Sequence, residues 1–125
     1  KMAALNKVQL IGYLGKDPEM RKTTSDKHVT SFSLGVTRRW RSKSGDSQST
    51  TDWFNIETWG RLAEICNDYL SKGRLVYVEG RLQTDRYEQE GSTRYFTKIV
   101  ANEMQILDRR PEEEEPVEEE QSEEE

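Results

Sequence analysis

Apolar and polar positions alternate with period two over most of the first hundred residues, the spacing of strands whose two faces meet different surroundings. Residues 5–14 place Val8, Leu10 and Leu14 on one face. Lys16-Asp17-Pro18 then ends the run, because proline cannot donate to a ladder. Residues 29–37 alternate more cleanly, with Phe32, Leu34 and Val36 pointing one way and Ser31, Ser33, Gly35 and Thr37 the other. Residues 41–52 hold no apolar side chain and read as a long exposed loop. Residues 53–59 resume as a strand, Trp53, Asn55, Glu57 and Trp59 on one face and Phe54, Ile56 and Thr58 on the other. Between 61 and 72 the period changes. Leu62, Ile65, Cys66, Tyr69 and Leu70 share one face of a helix, with Gly73 as its stop. Residues 74–82 return to period two, and 83–88 and 93–100 flank a glycine-containing hairpin turn at 89–92. A last apolar stretch holds Met104, Ile106 and Leu107.

The order is three strands, one helix, then two or three strands. That pattern predicts a mainly β domain. It suits a five-stranded oligonucleotide/oligosaccharide-binding barrel (OB-fold) with one helix between strands 3 and 4. A small open β-sandwich is the competing architecture. The length of 125 residues fits one domain.

Charge divides the chain. Its net charge is −5, yet ten of its 24 acids lie in the last fifteen residues. The remaining 14 acids face 19 bases, so residues 1–110 carry a net +5. A block of glutamates with one apolar residue, Val117, repels itself and buries nothing. We therefore expect a basic OB-fold domain over 1–110 and a disordered acidic tail over 111–125. The tail reads as a solubilising segment, a competitor for a polyanion on the basic body, or a docking tail for basic partners.

Several chemistries lack their residues. No apolar run is long enough for a membrane-spanning helix, and the start lacks the apolar stretch of a secretory signal. One cysteine excludes an internal disulfide framework and a cysteine-based zinc site. Cys66 lies on the apolar stripe of the helix and reads as a small core residue. His28, the single histidine, reads as a surface residue in a turn. Calcium-loop spacing and a Gly-rich phosphate cradle are missing. We expect no catalytic residue, no metal, no cofactor and no enzyme.

The aromatics carry the positive signal. The face of residues 53–59 that bears Asn55 and Glu57 should be wet, yet it bears two tryptophans. Trp40 sits among Arg38, Arg39 and Arg41, and such a segment cannot enter a core without burying charge. Arg86-Tyr87 repeats the pairing, with Arg94-Tyr95 facing it across the hairpin. Unpaired bases stack on indole and phenol rings while Arg and Lys neutralise phosphates. The competing reading packs Trp53 and Trp59 against a neighbouring subunit or under the long loop. A duplex reader is disfavoured, because the only helix carries Glu64 and Asp68.

These residues also carry a resemblance. Asn6 to Arg21, Phe32 to Val36 with Trp40-Arg41, Thr51 to Phe54, Trp59 to Glu64, Tyr69 to Gly73 and Val76 to Leu82 together resemble the bacterial single-stranded-DNA-binding protein family. The likeness spans roughly residues 5–107 in order. It implies an OB-fold and sequence-independent single-stranded DNA (ssDNA) binding in replication, recombination and repair, usually as a homotetramer. It implies base stacking on Trp40, Trp53, Trp59 and Tyr87, the last a position where the family usually has Trp. It implies backbone contacts from Lys7, Arg21, Lys43, Arg61 and Lys72, to which the basic runs add Arg38, Arg39, Arg41 and Arg86. Phe54 stands where the family often has a His near the subunit interface.

The family usually ends in an acidic tip closed by Pro-Phe that docks replication and repair proteins. Here the last residues are Gln121 to Glu125, without an apolar anchor. This departure reads as a divergent, phage or organellar version, or as a shortened terminus. The expected location is cytoplasmic and nucleoid-associated. A dimeric primosome-type adaptor, an RNA-binding OB module and a nuclease are the rival functions.

Overall fold

The computed structural model describes residues 3–108. Six strands and one helix follow in the order β1 (Val8–Leu14), β2 (Glu19–Lys22), β3 (His28–Arg41), β4 (Ser47–Trp59), α1 (Gly60–Tyr69), β5 (Leu75–Gln89) and β6 (Ser92–Ile106). The hydrogen-bonded order is β1-β5-β6-β4-β3-β2, and β1 also pairs with β3 through Tyr13↔Gly35 and Leu14↔Leu34. That extra pairing closes five strands, β1, β3, β4, β5 and β6, into a barrel. β2 lies outside the ring on β3. The helix joins the third and fourth barrel strands, as the OB-fold requires. All ladders are antiparallel except the short parallel contact of β4 with β6, Ile56↔Ile99 and Glu57↔Val100.

The interior is built from the inward parity of each strand. Leu14, Phe32, Leu34, Ile56, Val76, Val78, Ile99 and Ala101 are buried together, with Cys66 and Leu70 of the helix region. Each fully buried aliphatic side chain contributes roughly 1.5–3 kcal/mol. α1 is pinned across one end of the barrel: Thr30 Oγ1 donates to the carbonyl of Ala63 at 2.7 Å, and Thr58 Oγ1 donates to the Thr30 carbonyl at 3.0 Å. Cys66 is fully buried, and burial pushes its thiol up to about 11, so it packs as a neutral, unreactive group. At the end of β6, the buried Arg74 Nε donates to Asp108 Oδ1 at 3.0 Å, and Asp108 Oδ2 accepts from the Leu75 N–H at 3.1 Å.

Three local expectations change. The segment 41–52 is not a long loop. β3 runs unbroken to Arg41 and β4 starts at Ser47, with thirteen aligned pairs from Val29↔Trp59 to Arg41↔Ser47. The outer half of this hairpin is polar on both sides, so alternation cannot reveal it. Backbone pairing and a turn at 42–46, with Gly45 at φ 92°, hold it instead. β2 also escapes a period-two reading, because all four of its residues are exposed. His28 opens β3 rather than sitting in a turn, and its Nδ1 lies 2.8 Å from Glu64 Oε2. The tail expected over 111–125 lies outside the described residues.

Candidate nucleic-acid interface

Strand parity assembles one aromatic surface. In β4, Trp53, Asn55, Glu57 and Trp59 alternate with the inward Phe54, Ile56 and Thr58. Across the parallel contact, Glu57 is level with Val100 of β6, which brings Phe96 and Lys98 to the same side. β6 in turn pairs Lys98 with Gln83, Phe96 with Asp85 and Arg94 with Tyr87. Trp53, Trp59, Phe96 and Tyr87 thus share the outer face of one continuous sheet. None is sealed in the core: Trp53 is 60% exposed, Trp59 41%, Tyr87 46% and Phe96 45%.

Trp40 is 47% exposed but stands on the other face of the β3–β4 arm. Its register partner is Gln48, and it shares parity with Arg38, Thr50 and Asp52, whereas Trp53 shares parity with Arg39, Arg41 and Thr51. The Arg38 guanidinium lies 5.8 Å from the Trp40 ring centre and is held by Asp52 at 2.9 Å. The two tryptophans flank the arm rather than form one row.

Two devices fix the rings on the sheet face. The Trp53 ring lies against Gly35, its cross-strand neighbour, and against Gly15. A Cβ built on Gly35 would come within 2.8 Å of Trp53 Cζ3, and one on Gly15 within 2.6 Å of the same atom. Only glycine leaves room for the ring to rest there, and the residue stays 60% exposed. Trp59 is fixed by polarity. Its Nε1–H donates to Glu57 Oε1 at 2.9 Å, and the Lys98 ammonium lies 3.0 Å from Glu57 Oε1 and 3.0 Å from Asp85 Oδ2. Burial alone would lower the Lys98 pKa, but the hydrogen bonds and charges of Asp85 and Glu57 outweigh it and raise the ammonium above its ordinary value. Hydrogen bonds from Gln83 and Lys98 hold the Asp85 carboxyl below its ordinary value.

The cations divide into groups. Arg21 of β2 flanks the Trp59 row, 3.9 Å from Glu57 Oε2. Arg39 and Arg41 lie on the Trp53 side of the arm, and Arg41 Nη1 donates to the Gly45 carbonyl. Lys43 is in the arm's turn, Arg61 in the first turn of α1, and Lys72 between α1 and β5. Among the described residues, Arg39, Lys43, Arg61, Lys72 and Arg94 form no ion pair. Arg86 lies on the face of β5 opposite Tyr87 and is 3.8 Å from Glu88. Lys7 is set apart from the aromatic surface, 3.4 Å from Glu79, beside the bond from Gln9 to the Tyr77 hydroxyl.

Sequence reading did not single out Phe96, Lys98 or Glu57. A signal was present in the alternation Arg94, Phe96, Lys98, which places charge and an aromatic ring on one face. The contact between Glu57 and Lys98 depends on the parallel β4–β6 pairing, which local pattern does not reveal. No helix among the described residues is long and apolar enough to cross a membrane, and no cluster of three or more His, Cys, Asp or Glu residues there could hold a metal ion.

Comparison with known proteins places this surface in a family. The description "Single-strand binding protein family" matches residues 5–107. Single-stranded DNA-binding protein 1 of Chlorobaculum tepidum is 49% identical over 105 residues, 82% of this chain and 65% of that protein. The single-stranded DNA-binding protein of Neisseria meningitidis serogroup A is 45% identical, covering 83% of this chain and 60% of that protein. The Thermotoga maritima protein of the same name is 46% identical over 88% of this chain and 79% of its own length. The chain thus spans about three fifths to four fifths of these relatives. The solved Plasmodium falciparum SSB complex with ssDNA superposes with a TM-score of 0.79 at 31% identity, covering 86% of this chain and 99% of that one. With closed barrel, exposed ring surface and family match in agreement, this chain belongs to the single-strand binding protein family.

Proposed function

We propose that the chain binds single-stranded DNA without sequence preference and coats it, as a non-enzymatic participant in replication, recombination and repair. The observation that carries this reading is the exposure of Trp40, Trp53 and Trp59 together with the Arg39 and Arg94 guanidinium groups, which form no ion pair among the described residues. The names of the relatives and the ssDNA in the Plasmodium neighbour support it. Bases stack on Trp53, Trp59 and Tyr87 along the sheet and on Trp40 at the arm. Phosphates meet Arg21, Arg38, Arg39, Arg41, Lys43, Arg61, Lys72 and Arg86, and Lys7 joins them where the strand reaches β1. Base–aromatic stacking in barrels of this kind contributes ~1–3 kcal/mol per base and tolerates any sequence.

A homo-oligomer, a tetramer by family resemblance, is part of the proposal. Its support is an exposed apolar patch on the outside of the barrel, Ile11 and Tyr13 of β1, each 55% exposed. Docking of replication and repair proteins through residues 111–125 is part of the proposal and rests on the charge of their ten glutamates.

Titration with oligo(dT) at two salt concentrations tests the reading. Tryptophan emission should quench on binding, and affinity should fall with salt with a slope of ~−0.7 per neutralised phosphate. Trp53→Ala should weaken binding with little change in melting temperature. Unquenched emission at saturating DNA overturns the stacking model. A dimer with poor oligo(dT) affinity favours the adaptor, and preference for oligo(rU) favours the RNA-binding module.

A further inference from the structure

Trp53 and Trp59 are six residues apart on an extended strand, roughly 20 Å at ~3.3 Å per residue. A nucleic-acid strand stacked on both must cross what lies between. Between them the sheet is not flat. A cleft of 160 Å³ opens there, with Ser31 and Ser33 of β3, Asn55 of β4 and Phe96 of β6 among its lining. We propose that this cleft is a nucleobase subsite, in which one unpaired base stacks on Phe96 and is hydrogen-bonded at its edge by Asn55. The proposal rests on the ssDNA reading above and deepens it.

Three features select a base as the occupant. The first is size: at 160 Å³ the cleft is on the scale of a single ring system and well below a drug-sized pocket. The second is chemistry. Phe96 is 45% exposed and offers a π-face. Asn55, Ser31 and Ser33 make no side-chain hydrogen bond among the described residues, so an amide and two hydroxyls are free to donate and accept. The third is charge. Asp17, Glu19 and Glu57 line the cleft together with Lys16 and Lys98, three acids against two bases. That near balance gives a phosphate no net attraction, so a neutral base is the favoured occupant and the phosphates stay with the cations outside. Lys98 keeps the Glu57 carboxylate in place and compensates it. The cleft is also continuous with the ring surface that Trp53 and Trp59 flank on β4.

The subsite predicts a polar contribution that stacking alone does not. The Asn55 amide carries both a donor and an acceptor, and turning it over presents either one to the base edge, so cytosine and thymine are both accepted. Binding by the whole surface therefore stays broad in sequence.

Binding of fluorescently labelled oligo(dT) and oligo(dC), followed by anisotropy with the full chain, tests this. Phe96→Ala should weaken oligo(dT) binding roughly five- to tenfold, the low end of one lost stacking contact. Phe96→Tyr should restore it and Phe96→Leu should not, since leucine keeps the apolar volume without the ring. Asn55→Ala should weaken binding of oligo(dC) and oligo(dT) alike, roughly two- to tenfold for one lost hydrogen bond. Thermal melting of each variant should match the parent, because both side chains are exposed. Trp53→Ala is measured alongside. If Trp53→Ala weakens binding while Phe96→Ala or Phe96→Leu binds like the parent, the subsite is overturned and the stacking surface stands. Parent-like affinity of Asn55→Ala for both oligo(dC) and oligo(dT) overturns the edge contact and with it the proposed subsite. If Trp53→Ala also binds like the parent, the ssDNA reading itself fails.

Discussion

The indole of Trp53 shows how one side chain can be both exposed and fixed. An exposed tryptophan ordinarily samples several rotamers, and ordering it on binding costs conformational entropy. Here its ring rests on Gly15 and Gly35, so ordering is largely complete before a base arrives. Gly35 adopts ordinary strand geometry, and its missing side chain is what matters. A methyl there would stand 2.8 Å from Trp53 Cζ3, 2.9 Å from Cη2 and 3.1 Å from Thr51 Cγ2, and the ring would lift. Gly35→Ala should therefore weaken oligo(dT) binding by about 1 kcal/mol, near the low end of a stacking contact. Its melting temperature should hold, since alanine itself suits a strand better than glycine. Loss of stability with unchanged affinity would instead make the glycine a packing residue. The exposure of Trp53 was legible from its polar neighbour Asn55, whereas Glu57 on the same face, expected to be wet, is buried against Lys98. Its glycine seat was not, because Gly15 is distant in the chain and meets the ring only after β1 and β3 pair.

Among the elements, the hairpins differ in how far their residues announced them. β5 and β6 meet in a two-residue turn, Glu90 at φ 51° and Gly91 at φ 80°, the paired positive values of a type I′ turn. Gly91 marked this turn in advance. Glu90 is a poor residue for a left-handed backbone, which costs an ordinary side chain roughly 1–2 kcal/mol and asparagine less. Glu90→Asn should raise stability by ~0.5–1 kcal/mol in urea denaturation. The β3–β4 arm was illegible for the opposite reason. Ser47 to Thr51 and Thr37 to Arg41 have water on both sides, so no apolar stripe records their pairing. Their register is inherited from the buried half of the same strands, where Phe32↔Ile56 and Leu34↔Phe54 lock the alignment. That alignment also turns Trp40 and Trp53 to opposite sides of the arm, a relation that strand-by-strand parity could not supply.

At the scale of the molecule, closure creates two outer surfaces with different chemistry. One carries the rings, with Arg39 and Arg94 unpaired among the described residues. The other carries Ile11 and Tyr13 beside the Gln9–Tyr77–Glu79 hydrogen-bond chain, in which Glu79 accepts from the Tyr77 hydroxyl at 2.7 Å. That hydrogen bond raises the Tyr77 hydroxyl and holds the Glu79 carboxyl below its ordinary value. The proposed assembly uses the second surface, leaving the first for DNA. Ile11→Glu should therefore shift sedimentation toward a smaller species while the barrel's circular dichroism is retained. An unaltered sedimentation profile would place the contact elsewhere.

The residues by themselves determined the mainly β class, the place of the helix, the inward parity of the core strands and the identity of the wet tryptophans. Each of these follows from alternation or helical spacing between neighbours a few positions apart. The tertiary structure decided which of those exposed groups meet. The parallel β4–β6 contact set Lys98 against Glu57 and brought Phe96 to the cleft that Asn55 lines. Closure of β1 on β3 put Gly15 beneath Trp53, and continuous pairing made an arm from an apparent loop. The reason is physical: hydrophobic periodicity records only which side of an element avoids water. Cross-strand register and barrel closure are set by hydrogen bonds and packing between residues dozens of positions apart.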